Sequence, residues 1–254
     1  MNLPRTPSFR LDGRRALVTG GGRGLGAAAA VALAQAGATV YPAARSMDEI
    51  AALVEAIRSE GGKAEALKLD VTDIPTMHAR LQAIDPFDIL VNNAGTNRPK
   101  PMLEVTLDDY DAVEGLNLKA AYFVAQAVVS GMVSAKRSGC VINISSQMGH
   151  VGAENRTLYC ATKHAVEGLT KAMAVEFAPK GIRVNSVAPT FIETPMTKPY
   201  FDNPDFRSEV LWKIKIGRIG RVEDVMGAIV YLASDAAALV TGASMLIDGG
   251  WTAE

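Results

Sequence analysis

The sequence predicts a single α/β domain: a parallel sheet of seven strands, doubly wound, with helices covering both faces. Three observations carry this expectation. Short runs rich in apolar and β-branched residues alternate with longer helical segments along all 254 residues. The strand runs lack the strict polar alternation of a half-solvated sheet, which marks strands buried on both faces. No internal linker, repeat or low-complexity tract divides the chain.

The elements follow in order. Residues 15–19 (RALVT) form a buried strand, and an Ala-rich helix over 25–36 is stopped by Gly37. A second strand over 39–44 leads to a helix over 47–60, where Ile50, Leu53, Val54 and Ile57 recur at helical spacing and Gly61-Gly62 ends the run. Strands over 64–69 and 89–92 precede a long helical stretch from 107 to about 136. Strand 141–144, helix 157–178, strand 183–187, helix 222–233 and a last strand over 244–247 complete the pattern. Right-handed crossovers between these strands give the doubly wound arrangement. One long irregular stretch, 189–220, holds Pro195, Pro199 and Pro204 and the aromatics Tyr200, Phe201, Phe206 and Trp212. A loop of that length in a compact domain is usually a binding loop, so residues 1–254 read as one domain with a lid-like insertion at about 190–220.

Composition excludes several classes. The formal net charge is −1, so no basic excess draws the chain to nucleic acid or an anionic membrane. Cys140 and Cys160 form no CxxC pair, and His78, His150 and His164 form no metal-binding motif, so no metal is expected. The first fifteen residues lack the apolar core of a signal peptide, and no apolar run reaches the ~18 residues that span a bilayer. The expected location is the cytoplasm.

Directly after the first strand stands Thr19-Gly20-Gly21-Gly22-Arg23-Gly24-Leu25-Gly26, opening a helix. Glycines there allow a tight turn and close approach to a pyrophosphate, which sits on the free N–H groups of the helix N-terminus. The nucleotide-triphosphate loop needs Gly-Lys-Ser/Thr at its end; here Ala27 follows the last glycine. A dinucleotide-binding (Rossmann) reading remains.

The spacing Thr-Gly-xxx-Gly-x-Gly resembles that of the short-chain dehydrogenase/reductase family, and the match runs from about Phe9 to Trp251. The resemblance implies roles for further residues. Asp70 would hold the adenine, with Val71 beside it. Asn93, Ala94 and Gly95 would lie by the adenine ribose and central sheet. Pro189, Ile192 and Thr194 fall in the cofactor-binding segment after the sixth strand. The catalytic set would be Asn117, Ser146, Tyr159 and Lys163. Ser146 rather than Ser145 stands the required thirteen residues before the tyrosine. One departure is Thr190, where the family usually has glycine. A β-branched residue does not readily adopt positive φ, so this loop is expected to run differently.

The chemistry is consistent with these residue types. Hydride transfer to a ketone needs a proton for the resulting alkoxide, and a phenol can supply it. Its ordinary pKa of about 10 is high for a base. A lysine four residues on, Lys163, lies one helical turn away and favours the phenolate. Ser146 can hydrogen-bond the substrate oxygen. By resemblance, Asn117 holds a water that links Lys163 to solvent, and Lys163 also binds the nicotinamide ribose.

An NAD-specific site needs an acid at the end of the second strand. Ala44 stands there, followed by Arg45 and Ser46, with Arg23 in the glycine loop. Two guanidinium groups without that acid suit the 2′-phosphate of NADP. NADP(H) is therefore the preferred cofactor, with NAD(H) a possible one. The polar loops Thr96–Lys100 and Gln147–Arg156, the second with His150, point to a small polar ketone or secondary alcohol of the sugar-acid type. A 3-oxoacyl thioester reductase is the alternative, and a non-catalytic dinucleotide-binding sensor is the alternative of another class. Ala120, Phe123, Val124 and Val128 exceed what one core face needs, and the resemblance implies a homotetramer through the two long helices.

Overall fold

The computed structural model describes residues 2–253. Its strands are β1 (Arg15–Thr19), β2 (Thr39–Ala44), β3 (Lys63–Ala64), β4 (Leu67–Lys68), β5 (Ile89–Asn92), β6 (Gly139–Ile144), β7 (Ile182–Pro189) and β8 (Ser244–Ile247). All are parallel, in the order β3-β2-β1-β5-β6-β7-β8, with β4 also on β2. The seven expected positions are therefore filled by eight strands. The run over 64–69 breaks into two short pieces because it lies at the edge, with a partner on one side only.

The helices are α1 (Gly24–Gln35), α2 (Met47–Ser59), α3 (Ile74–Gln82), α4 (Leu107–Glu114), α5 (Ala121–Ser134), α6 (Thr157–Phe177), α7 (Pro204–Lys213) and α8 (Glu223–Ala233). Residue alternation in the strands divides the core. Ala16 and Val18 of β1 join Leu33, Ile142, Ile229 and Leu232 under α1 and α8. Leu17 between them joins Met77, Leu90, Val124, Met132 and Val141 under α3, α5 and α6. Small side chains on α1, including Ala28, Ala29 and Ala32, let it pack closely against α8.

Four expectations need correction. Helix α3 was not anticipated, although Asp73 caps it through Thr76 N–H (3.2 Å) and proline occupies its first turn. The irregular stretch contains α7, capped by Asn203 and opened by Pro204. The stretch 107–136 is not one regular helix: Gly115–Ala120 between α4 and α5 is π-helical, a local widening often found at functional sites. By length and apolar content, Leu107–Ser134 also matches a membrane span, because its apolar residues are spread along the helix rather than in one run. Here it packs on α3, α6 and β5. Finally, Ala120, Val124 and Val128 are buried in the chain's own core, and of these four positions only Phe123 remains partly exposed.

The insertion is pinned at its base. Glu193 N–H donates to Gly220 O (2.8 Å) and Gly220 N–H to Phe191 O (3.0 Å). Above it Phe191, Phe201, Phe206 and Trp251 form an aromatic cluster with Met148, Val210 and Ile214, and Tyr159 packs against it.

Candidate active site

A cleft of about 470 Å³ crosses the C-terminal ends of the central strands, where doubly wound sheets bind their ligands. At one end it is lined by Gly20, Gly22, Arg23, Gly24, Leu25, Ala44, Arg45, Ser46, Asp70 and Val71. Asn93, Ala94, Gly95, Tyr159, Lys163 and Thr194 continue it to the other end. Gly26, Asn117, Ser146, Pro189 and Ile192 do not form its wall. Ile192 belongs to the core under α8, and Pro189 ends β7.

The phosphate end is shaped by backbone. Gly20 and Gly24 have φ of +62° and +55°, a region that glycine occupies without strain. A Cβ on Gly26 would stand 2.1 Å from the Gly20 carbonyl oxygen, so only glycine allows α1 to start this close to β1. Asn93 holds the opposite wall, donating from Nδ2 to Thr19 O (3.0 Å) while Thr19 Oγ1 accepts from Asn93 N–H (3.0 Å) and Ala94 N–H (3.1 Å). Burial raises the Asp70 carboxyl, but hydrogen bonds from Thr72 hold it below its usual range, with a smaller pull from the exposed Arg45. Arg23 meets Glu49 at 3.7 Å. Sequence reasoning missed Glu49, though Ser46-x-x-Glu49 is a helix-capping pattern and Ser46 Oγ does accept from Glu49 N–H (3.4 Å). The free N–H groups of α1, the glycine cradle and the cations at its rim fit a dinucleotide of the NAD(P) type.

At the other end α6 presents Tyr159 and Lys163 one turn apart, with Lys163 Nζ 5.6 Å from the Tyr159 ring. Lys163 is 6% exposed and donates to Ile144 O (2.8 Å). Burial lowers its pKa to about 8, against the pull of Glu167, which lies one further turn along. Burial pushes the Tyr159 phenol up to about 12, while the Ser146 hydroxyl and the Arg156 guanidinium draw it down. Ser146 Oγ donates to Gln147 Oε1 (2.8 Å) and accepts from Met148 N–H (3.1 Å). Asn117 sits in the π-helical segment, accepting from Thr96 N–H (2.8 Å) and donating to Thr96 O (2.9 Å) and Thr162 Oγ1 (3.3 Å). It therefore braces the turn that carries Lys163. Two buried hydroxyls, Ser145 Oγ and Thr190 Oγ1, find no hydrogen-bond partner among the described residues.

The expected change of path at Thr190 has a simple form. Thr190 is not among the described residues with positive φ, and its N–H joins the sheet by donating to Ile247 O (3.1 Å). Two other expectations change. His150, read as a candidate substrate contact, instead meets Ser244 Oγ (2.9 Å) and the buried Glu167 (3.4 Å). Arg98 and Lys100 are held by Asp108 and Asp109, and the Asp109 carboxyl is kept well below the usual range by Lys100 and the Thr106 cap.

A family model described as enoyl-(acyl carrier protein) reductase matches residues 20–252. L-xylulose reductase of Bos taurus is 39% identical over 245 residues, covering 96% of this chain and 99% of that protein. The chain belongs to the short-chain dehydrogenase/reductase family. Another relative in the family, the 3-oxoacyl-[acyl-carrier-protein] reductase of Vibrio harveyi, is 41% identical over 246 residues, 95% of this chain and 98% of its own. A gluconate 5-dehydrogenase from Burkholderia cenocepacia J2315, solved in complex with NADP and tartrate, superposes with a TM-score of 0.94 at 37% identity, over 98% of this chain and 99% of that one. As a short-chain dehydrogenase/reductase, the chain is an NAD(P)-dependent oxidoreductase acting on CH–OH groups or the corresponding ketones.

Proposed function

We propose that this short-chain dehydrogenase/reductase prefers NADP(H) and interconverts a ketone and a secondary alcohol on a small polyhydroxylated substrate of the sugar or sugar-acid type. One observation carries the reading: Tyr159, with Ser146 against its hydroxyl, and Lys163 stand at one end of a cleft whose other end has Arg23, Arg45 and Ser46 but no acid at Ala44. The arginines and the capped start of α2 would take the 2′-phosphate.

The nicotinamide supplies or accepts the hydride when bound. Tyr159, neutral at physiological pH, protonates the substrate oxygen during reduction. Ser146, turning its hydroxyl from Gln147, donates a hydrogen bond to the same oxygen. Lys163 holds the cofactor ribose and passes a proton back to Tyr159, with Asn117 bracing the relay from behind. In the NADPH-driven reduction of a model diketone, Tyr159→Phe should lose at least ~10³-fold in kcat while NADPH still binds within a few-fold. A variant that keeps wild-type kcat refutes the assignment, and an inactive wild type leaves the sensor reading.

The aromatic cluster over Tyr159 favours a second reading, reduction of a 3-oxoacyl thioester, whose chain is apolar. A panel of 5-ketogluconate, uncharged ketoses and 3-oxoacyl thioesters separates the two; activity confined to thioesters removes the sugar reading. Assembly as a homotetramer in the cytoplasm completes the proposal.

A further inference from the structure

Arg156 opens α6 three residues before Tyr159 and is only 8% exposed. Its guanidinium lies over the Tyr200 ring at 5.4 Å from the centroid. Among the described residues, none of its five N–H donors has an acceptor and no carboxylate pairs with it. Arginine does not lose its proton in a protein, and a buried charge is normally paired. The groups that act electrostatically on Arg156 are Tyr200, Tyr159 and Cys160, after the depressing effect of burial itself. An aromatic face compensates a cation in part and offers no hydrogen-bond acceptor in the guanidinium plane.

The position is built. Asn155 adopts φ +57°, a left-handed conformation that asparagine tolerates better than most residues. Its carbonyl accepts from Lys100 N–H (3.1 Å), which ties the turn to the loop after β5. Other cations near this end are taken: Arg98 and Lys100 by Asp108 and Asp109, Lys163 by Ile144 O. The phosphates of a dinucleotide belong at the far end of the cleft, on α1, and a nicotinamide carboxamide is uncharged. The anion that matches Arg156 must therefore come with the substrate.

We infer that Arg156 is a specificity-determining residue that receives a carboxylate on the substrate, so that the preferred substrate is a hydroxy or keto acid rather than a neutral ketose. This rests on the functional reading above and narrows it. Residues three apart at a helix start are neighbours, so the carboxylate lies within a few carbons of the carbon bearing the reacting oxygen. A planar fork accepts it in a bidentate manner.

The test compares 5-ketogluconate with L-sorbose, an uncharged ketohexose of the same length, in wild type, Arg156→Met and Arg156→Lys. Wild type should prefer the keto acid. Arg156→Met should raise KM for 5-ketogluconate on the order of 10–100-fold. Any fall in kcat from the lost field on Tyr159 should be shared by both substrates, and KM for sorbose should stay within ~3-fold. Arg156→Lys should recover part of the keto-acid KM. Competitive inhibition by tartrate should weaken in step in Arg156→Met. Equal KM changes for both substrates, or no wild-type preference for the acid, overturn the carboxylate anchor while leaving the ketoreductase reading intact. Failure of wild type to oxidise NADPH with either ketone or any other in the panel overturns that reading and the anchor with it.

Discussion

A neutral phenol and a charged ammonium face each other in the catalytic pair. Burial moves Tyr159 up to about 12 and Lys163 down to about 8. Near pH 7 the phenol keeps its proton and the lysine is still charged, the combination that ketone reduction uses. Reductive kcat/KM should be level below pH ~8 and fall above it as Lys163 loses its proton. Alcohol oxidation needs the phenolate and should rise through the same range; a reduction rate that climbs with alkalinity contradicts this assignment. At the cofactor end, exchanging Ala44 for Asp and Arg45 for Ala should shift the kcat/KM ratio toward NAD(H) by ~10-fold or more. An unchanged ratio removes Arg45 from phosphate recognition. Glu49 complicates this site, since the 2′-phosphate must compete with it for Arg23. Tyr159, Lys163 and the glycine loop were legible in the sequence because their chemistry needs fixed residue types at short spacings. Gln147, Glu167 and the burial of Arg156 were not. Glu167 meets Ser244 across 77 residues, a contact that no local pattern encodes.

Strand positions were readable because strands buried on both faces are short and almost wholly apolar; β1, β5 and β8 fall on their expected residues. Readings failed where one partner was missing or the helical repeat changed. The outer strand breaks in two, and the widened turn around Asn117 leaves the same apolar spacing as a regular helix. The junction of β1 and α1 allows a sharp test at this scale. A Cβ at Gly26 must displace the Gly20 carbonyl, and Asn93 Nδ2 lies only 2.6 Å from the same point. Gly26→Ala should thus move the whole phosphate loop and weaken NADPH binding by ~10-fold or more. The helix itself favours alanine by about 1 kcal/mol, so the variant should stay folded. Calorimetric titration reads the affinity and circular dichroism the fold; wild-type affinity in a folded Gly26→Ala would show that the loop has slack that the packing does not reveal.

Surface chemistry sets the state of the whole molecule. The helix positions expected to be spare are spent on the chain's own core, yet a different set is exposed. Leu103 is 99% exposed, and Met102, Leu107, Tyr110 and Tyr122 are exposed beside it along the start of α4 and α5. A second group, Trp212, Ile216 and Leu246, lies around β8, the last strand of the sheet. Open strand edges and apolar patches of this kind are usually covered. Two such faces, each pairing with the same face of another copy, would close into a tetramer with three perpendicular two-fold axes, the assembly proposed above. Light scattering after size exclusion should therefore give four times the chain mass. Replacing Leu107 and Tyr110 by Asp should remove one of the two interfaces and yield dimers with NADPH affinity within a few-fold of wild type, because neither residue lines the cleft. A wild-type monomer at micromolar concentration would rule the assembly out. A tetramer that persists in the double variant would instead move the interface off this surface of α4.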